Sequence, residues 1–416
     1  MGSTMGRRRI MAAVSAAVLV AVTAVVAYRV LAPAEVSTTA RADYPVAVSR
    51  EAGVVGRLPV APLVVDGRLR VYAAARQVYA DAPVDGRHRS TPYWSYRRWP
   101  AQVSGVVADR TTVVSHWSDG VLVALDARTG RVAWRVDGPA PAEGWTARRT
   151  GAGAVWDPPG LFLAQAVDGQ PVLVVSGPRR VAGFGLADGR QLWSTEVDGG
   201  CRTDVGTTGY GQFAVLDQCA EPAAVEFHEV SSGAVTRWQP PDGPAGWGVT
   251  PLGCVTDRVR CGGLRVTGPA DDGGTGWLLG AGDPTPAPAL DPADAELVDG
   301  WAIRAADGAV TGRDAATGKE RWRRTDLGAV RIVAVQSGRV HLLTETNELI
   351  TLDPRTGAER SRFPVAVGAD GLGWALGSAY AGDGYLALER LREPVARDAD
   401  DQRYFFTAEP VVLVAT

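Results

Sequence analysis

One phrase recurs along this chain of 416 residues. It is an apolar alternating run, an acidic residue, a short turn ending in Gly, and a short strand ending in Trp. It is clearest at 121–134 (VLVALDARTGRVAW) and returns at 310–322 (VTGRDAATGKERW) and 349–361 (LITLDPRTGAERS). Shorter copies stand at 181–193 (VAGFGLADGRQLW) and 225–238 (VEFHEVSSGAVTRW), and 273–277 (GGTGW) reads as the remnant of another. The turn glycines Gly130, Gly189, Gly233, Gly273, Gly318 and Gly357 follow one another at intervals of 59, 44, 40, 45 and 39 residues. A period of about 40–45 residues is the length of one four-stranded propeller blade.

The chemistry of the phrase suits a hairpin. Alternation before the acidic residue gives a strand two distinct faces. Asp126, Asp314 and Asp353 can bond the backbone of the turn that follows them, and the Gly can take a positive φ there. Trp134, Trp193, Trp277 and Trp322 each lie four residues beyond their Gly, where a large planar ring can plug the gap between adjacent sheets. Trp238 lies five residues on, and Ser361 replaces the Trp in its copy, with Phe363 nearby.

The pattern Asp-x-x-Thr-Gly-x-x-x-Trp resembles the tryptophan-docking repeat of quinoprotein-type, or PQQ-like, β-propellers. Asp126, Thr129, Gly130 and Trp134 carry it in full, as do Asp314, Thr317, Gly318 and Trp322; Asp353, Thr356 and Gly357 carry it without the Trp. The resemblance implies an all-β propeller over residues 51–416. Outer strands are expected to end near Trp99, Trp134, Trp193, Trp238, Trp277, Trp322, Phe363 and Phe405, which makes eight blades. Seven is the alternative, because the two ends of the domain can share one closing blade. Closing the ring removes exposed sheet edges.

Composition agrees: Gly 50 and Pro 27 supply turns for many short strands. A net charge of −3 argues against nucleic-acid binding driven by overall charge. Lys319 is the only lysine, so the basic residues are almost all Arg, a composition bias with no functional reading.

Enzymes of the resembled family bind pyrroloquinoline quinone and a calcium ion, with two adjacent cysteines bonded over the quinone. No two cysteines adjoin here, and Asn347 is the only Asn available for the family's Glu, Asn and Asp calcium set. Asp398, Asp400 and Asp401 have neither the spacing nor the Gly of an EF-hand loop. No G-x-S-x-G, P-loop or H-E-x-x-H pattern is present, and His228-Glu229 meets Ser232 where a second His would be needed. His88, His116 and His341 are widely separated. The expectation is no catalytic residue, no cofactor and no metal. The four cysteines are expected to form two local disulfides, Cys201–Cys219 and Cys254–Cys261; their gaps are too wide for a zinc site.

Two segments interrupt the repeat. The first, 78–99, holds Arg89, Tyr93, Trp94, Tyr96 and Arg97; the second, 138–160, holds Trp145 and Arg148. Aromatic and Arg residues together are typical of binding hot spots, so these seven are the candidate partner surface. The alternative is that the aromatics pack within the sheets and the arginines form a solvated rim.

The N-terminus reads as an address. A basic tail, 1–9, ends in Arg7, Arg8 and Arg9, and an apolar run follows to Tyr28. Residues 10–31 are the expected transmembrane anchor, with 32–50 as linker and the propeller outside the cytoplasmic membrane. A cleaved signal peptide is the alternative; a lipoprotein anchor is excluded, since no Cys lies near the end of the segment. The reading is a noncatalytic extracytoplasmic propeller that acts as a protein-interaction or ligand-sensing scaffold. The alternatives are a divergent quinoprotein-type or other channel-centred enzyme, and a cell-wall carbohydrate-binding module.

Overall fold

The computed structural model describes residues 14, 16–23, 34–48, 50–142, 150–241, 243, 245–256, 258–269, 273–365, 374–395, 402–405 and 409–416. Its strands form eight antiparallel sheets, one of five strands and seven of four. Blades 1 to 7 follow in chain order over 63–99, 103–137, 161–196, 202–238, 248–286, 295–324 and 330–364. Blade 8 takes three strands from 375–415 and its outer strand from Gly53–Leu58. Inner strands of successive blades touch one another, which sets the sheets radially around a channel. The chain is therefore an eight-bladed all-β propeller. No helix among the described residues is long and apolar enough to cross a membrane.

Alternation sorts each middle strand between two neighbours. In Val121–Asp126, Val121, Val123 and Leu125 join the core shared with blade 1, while Leu122 and Ala124 join the core shared with blade 3. Both faces of the sheet are covered, so the whole run is apolar.

The blades are joined by one repeated contact. A Trp from one blade donates its indole N–H to a carbonyl in the next blade's turn: Trp94 to Ala127 at 2.7 Å, Trp134 to Leu186 at 2.9 Å, Trp193 to Val230 at 2.7 Å and Trp322 to Pro354 at 2.9 Å. Each ring lies against the turn glycine of that next blade, respectively Gly130, Gly189, Gly233 and Gly357. These glycines have φ between 69° and 75°. A Cβ on Gly130 would fall 2.5 Å from the Trp94 Cβ. The acidic residue shapes the same turn. Asp126 Oδ1 accepts the Arg128 N–H, and Asp314 Oδ1 accepts both the N–H and the hydroxyl of Thr317.

The fourth strand of blade 1 ends at Trp99, as expected, and its docking ring is Trp94. Residues 82–93 replace the short turn there, so no Gly stands four residues ahead to mark that ring. Two other expected positions differ. Gly273 and Trp277 are not a turn and an outer strand. Trp277 lies on the third strand of blade 5 (Thr275–Leu278), and the outer strand is Thr285–Pro286. Phe405 is a buried residue bridging Leu391, and the outer strand of the last blade comes from the N-terminal side. Residues 34–38 of the expected linker are a strand as well, Ala34–Thr38, added to the outer edge of blade 1.

Where the phrase is degraded, other groups join the blades. Trp238 packs edge-on against Trp277 of blade 5, with centroids 4.9 Å apart. Between blades 5 and 6 the buried Arg265 guanidinium donates to the carbonyls of Leu290, Ala293 and Ala295 at 2.6–3.0 Å. Consistent with the missing Trp in blade 5, nothing lies within 4 Å of a Cβ built on Gly318.

The cysteines pair as Cys201–Cys219 and Cys254–Cys261. Two histidines are buried as neutral rings. Burial pulls His116 down to about 4 and His341 to about 3. The Gln336 amide N–H donates to His341 Nε2 at 2.8 Å, which leaves Nδ1–H to donate to the Thr351 hydroxyl at 3.0 Å. A second ring proton would have no acceptor at Nε2.

Two outcomes follow. Gly318→Ala meets only the left-handed backbone penalty, about 1–2 kcal/mol, whereas Gly130→Ala adds an overpacking cost of about 1–3 kcal/mol. Urea unfolding of both variants measures the difference; equal losses would mean that the indole does not rest on the glycine. The histidines make stability fall on acidification. Below an unfolded-state pKa of about 6.5, the unfolded chain takes up protons that the folded chain refuses, down to about 4 for His116 and about 3 for His341. His341→Gln should flatten that part of the pH profile of the urea midpoint, and an unchanged slope would contradict the assignment.

Candidate functional site

Strand order fixes two faces on the ring. The hairpin turns between first and second strands, and the Asp-to-Gly turns, share one face, the turn face. The connections between blades lie on the other, the linker face.

The channel holds a well of about 550 Å³ whose lining includes the inner-turn residues Asp66, Gly169, Ser337 and Asp383 of the turn face. Its wall is built by inner strands of blades 1, 2, 3, 7 and 8 and by the hairpin of residues 255–260 from blade 5. The Cys254–Cys261 disulfide closes that hairpin at its base. The hairpin lies along the inner strand of blade 4: Thr207 N–H donates to Arg258 O at 2.9 Å, Cys261 N–H to Thr207 O at 2.7 Å and Arg260 N–H to Thr207 Oγ1 at 3.0 Å. From the linker face, the short helix Ala152–Val155 and Trp156 supply the floor. Trp156 donates to Pro62 O at 2.9 Å and stacks on Tyr380 of blade 8. Arg258 spans the two plugs, bonding Asp157 at 2.6 Å and lying over the Phe162 ring.

The mouth of the well has two unlike sides. Asp383 and Asp66 stand in the inner turns of blades 8 and 1, and Asp109 ends the inner strand of blade 2. Desolvation raises the Asp383 carboxyl, and the neighbouring Asp66 and Asp109 add to that, against hydrogen bonds from the N–H groups of Gly67 and Asp66. Asp66 accepts the Tyr44 hydroxyl at 3.2 Å and pairs with Arg68 at 3.3 Å. On the other side, the inner turns of blades 3, 4 and 5 expose Val167 (83%), Tyr210 (47%) and Val255 (39%). These turns touch, since a Cβ on Gly211 would lie 3.3 Å from Val167 Cγ2.

A charged cluster in blade 4 has the residue types of a catalytic site. Arg202, Asp217, Glu226 and Arg237 come from its four successive strands, and the buried His228 joins Glu226 at 3.3 Å. Hydrogen bonding from His228 first, then from Arg202 and Arg237, holds the Glu226 carboxyl down to about 2. Both carboxylate oxygens are occupied, so the cluster works as a cross-strand staple. A second cavity of about 380 Å³ on the linker face is lined by Ser104, Ser176, Arg202 and Asp204 among Pro and Gly residues.

The candidate partner residues are dispersed. Trp94 and Tyr96 are core residues and cannot form an exposed surface; Tyr96 donates to Glu35 at 2.9 Å. The side chains alternate along the strand, so this pair points inward while Arg97 points out and bonds Gln77. Tyr93 donates to the carbonyls of Ala42 and Arg128, and Arg89 pairs with Asp85 at 2.8 Å. Trp145, Arg148 and the acidic Asp398, Asp400 and Asp401 lie outside the described residues. Sequence reading missed Val167, Tyr210 and Val255; their only mark was an apolar residue inside a Gly-rich turn.

Among the described residues, no group of three or more His, Cys, Asp or Glu could hold a metal ion. Asn347 occupies a buried turn of blade 7 with φ 57°, and it does not line the well.

A family model described as outer membrane protein assembly factor BamB matches residues 47–204 and 265–380. No curated protein matches the chain. Among solved structures, BamB from Moraxella catarrhalis is similar at 15% identity and a TM-score of 0.42, over 91% of this chain and 97% of that one. The C-terminal WD40 domain of Sif2 is similar at 11% identity and a TM-score of 0.48, over 88% and 98%. The computationally designed Ika8 protein is similar at 14% identity and a TM-score of 0.46, over 87% and 99%. With about two thirds of its length matched by that family model, and with docking Trp and turn Gly in place, the chain belongs to the PQQ-like β-propeller family whose model carries the BamB description.

Proposed function

We propose that this propeller is a noncatalytic scaffold for protein interaction, or for sensing a ligand, held by its N-terminal segment at the extracytoplasmic face of the cytoplasmic membrane. The mouth of the well carries the reading. Three adjoining turns present Val167, Tyr210 and Val255 to solvent, beside an arc of carboxylates at Asp383, Asp66 and Asp109. Large apolar side chains left in water are costly unless a partner covers them. The acidic arc favours a partner segment that sets an apolar side chain beside a Lys or Arg. The family description, a factor of outer membrane protein assembly, supports a protein partner of this kind.

The interior supports the noncatalytic part. Where a channel-centred enzyme would hold its reacting groups, the well has the disulfide-closed hairpin on one side and Trp156 on its floor. Arg258, one of the arginines on its wall, is engaged by Asp157.

Two measurements test the proposal. Cross-linking in native membranes, from single sites on the turn face, should yield one partner peptide containing Lys or Arg. Losing one well-buried anchor costs about 2 kcal/mol, roughly thirtyfold in affinity, so Tyr210→Ala with Val167→Asp should abolish that cross-link without lowering the unfolding midpoint. An unchanged cross-link rejects this face. Titration with pyrroloquinoline quinone and calcium should give no stoichiometric cofactor spectrum, and a saturable one would replace the scaffold reading with an enzyme.

A further inference from the structure

The segment between the expected anchor and the propeller is short, and it is fastened at one corner. Strand Ala34–Thr38 pairs with Trp94–Trp99 in continuous register, from Ala34 opposite Trp99 to Thr38 opposite Ser95. It is held by more than its ladder. Glu35 accepts from Arg98 at 3.0 Å, from Arg135 at 2.5 Å and from the Tyr96 hydroxyl at 2.9 Å. Ala40 N–H then donates to Thr129 O of blade 2 at 2.9 Å. The chain thus enters at the linker-face end of blade 1 and runs toward the turn face.

The expected anchor ends at residue 31, so two residues separate it from Ala34. At about 3.3–3.6 Å per residue, that length of chain spans on the order of 10 Å at most. A corner tied this closely cannot leave the bilayer surface. Its exposed side chains are of the kinds that settle at such a surface. Ala34 and Val36 lie opposite Trp99 and Arg97, which places all four on one side of the sheet. Val36 is 57% exposed, Arg97 is exposed, and Arg76 stacks over the half-exposed Trp99 ring at 3.8 Å. Neither Arg76 nor Arg97 has a carboxylate partner among the described residues. On the other side of the same strands, Arg98 is already neutralised by Glu35 and Asp119. Trp at the interface, with arginines reaching toward phosphates, is the composition of a membrane-contacting edge.

We propose that the corner of blade 1 formed by Val36, Arg76, Arg97 and Trp99 rests on an anionic lipid surface. The linker face of blade 1 then lies toward the membrane, and the mouth of the well points away from it. This orientation rests on the anchored reading above, and it leaves the apolar and acidic turns free for a partner outside.

The test uses the full chain reconstituted into phosphatidylglycerol-containing vesicles. A fluorophore is attached at Val36→Cys or at Val167→Cys, and the lipid carries a head-group quencher. Val36→Cys should be quenched severalfold more strongly than Val167→Cys. Arg76→Gln with Arg97→Gln, or vesicles of phosphatidylcholine alone, should reduce that quenching while the chain still floats with the vesicles. Equal quenching at the two sites, or quenching indifferent to lipid charge and to the double variant, overturns the contact while leaving the anchor intact. A chain that does not float with vesicles overturns the anchored reading and the contact together.

Discussion

The contact between an indole and a glycine sets the angle between blades. The Trp134 ring needs a flat, close surface, and Gly189 offers one because it lacks a Cβ. The same glycine must take φ 70° to turn the chain, so one residue meets two demands. The indole N–H satisfies a carbonyl that would otherwise be buried without a partner, at Leu186 in this case. Both groups belong to different blades, so their separation cannot change without losing both the hydrogen bond and the packing. Arg265 shows what replaces this contact when the Trp is missing. A planar guanidinium with several donors reaches three carbonyls across the same kind of gap, at the cost of burying its charge. That burial lowers its proton affinity, partly offset by the nearby Glu296, Asp294 and Asp291.

The architecture was legible because the contact is local in sequence at each end. Gly130 and Trp134 stand in one phrase, and the spacing between phrases counts residues per blade. What the phrase could not show is which Trp meets which Gly. The partner of Gly130 is Trp94, from the preceding blade, and the partner of Trp134 is Gly189, from the next. The long turn of blade 1 removes the Gly that would mark Trp94, so the end of that strand at Trp99 is legible and its docking ring is not. Trp277 invites an outer-strand place because GGTGW imitates the end of a phrase. The buried Trp94 and Tyr96 were read as surface for a related reason. A strand rich in aromatics and Arg is ambiguous until one knows which face each residue takes, and a single residue of shift exchanges the two.

The candidate site was less legible, for a physical reason. Hydrophobic periodicity reports what is buried, and Val167, Tyr210 and Val255 are informative because they are not. Each lies in a turn, outside any periodic run, and only the ring brings the three turns together. The hairpin at 254–261 shows the limit in another form. Spacing pointed to the disulfide, because an even number of cysteines with gaps too wide for a zinc site suggests local pairs. Spacing could not say that the loop folds back along blade 4 to wall the well, since that direction is fixed by hydrogen bonds to Thr207, about fifty residues away in sequence.

Ring closure explains why the ends share a blade without reducing the count. Residues 63–99 already make a complete first blade, so Gly53–Leu58 is left to pair elsewhere. The C-terminal segment offers three strands, and its edge strand Val411–Ala415 is apolar and fully buried. Unpaired, that edge would expose both apolar side chains and a row of backbone groups. Pairing Val54 with Val414 and Leu58 with Val411 covers it. The loop closed this way contains most of the chain, yet its entropic cost grows only with the logarithm of length, to about 5 kcal/mol here. Val411, Leu413 and Ala415 join the core shared with blade 1, which forms only when the ring closes, and at about 1.5–3 kcal/mol for each of the two larger side chains their burial offsets a cost of that size. Val412 and Val414 belong to the core shared with blade 7, so the surplus that holds the eighth blade shut comes from the ladder between Val411–Ala415 and Gly53–Leu58.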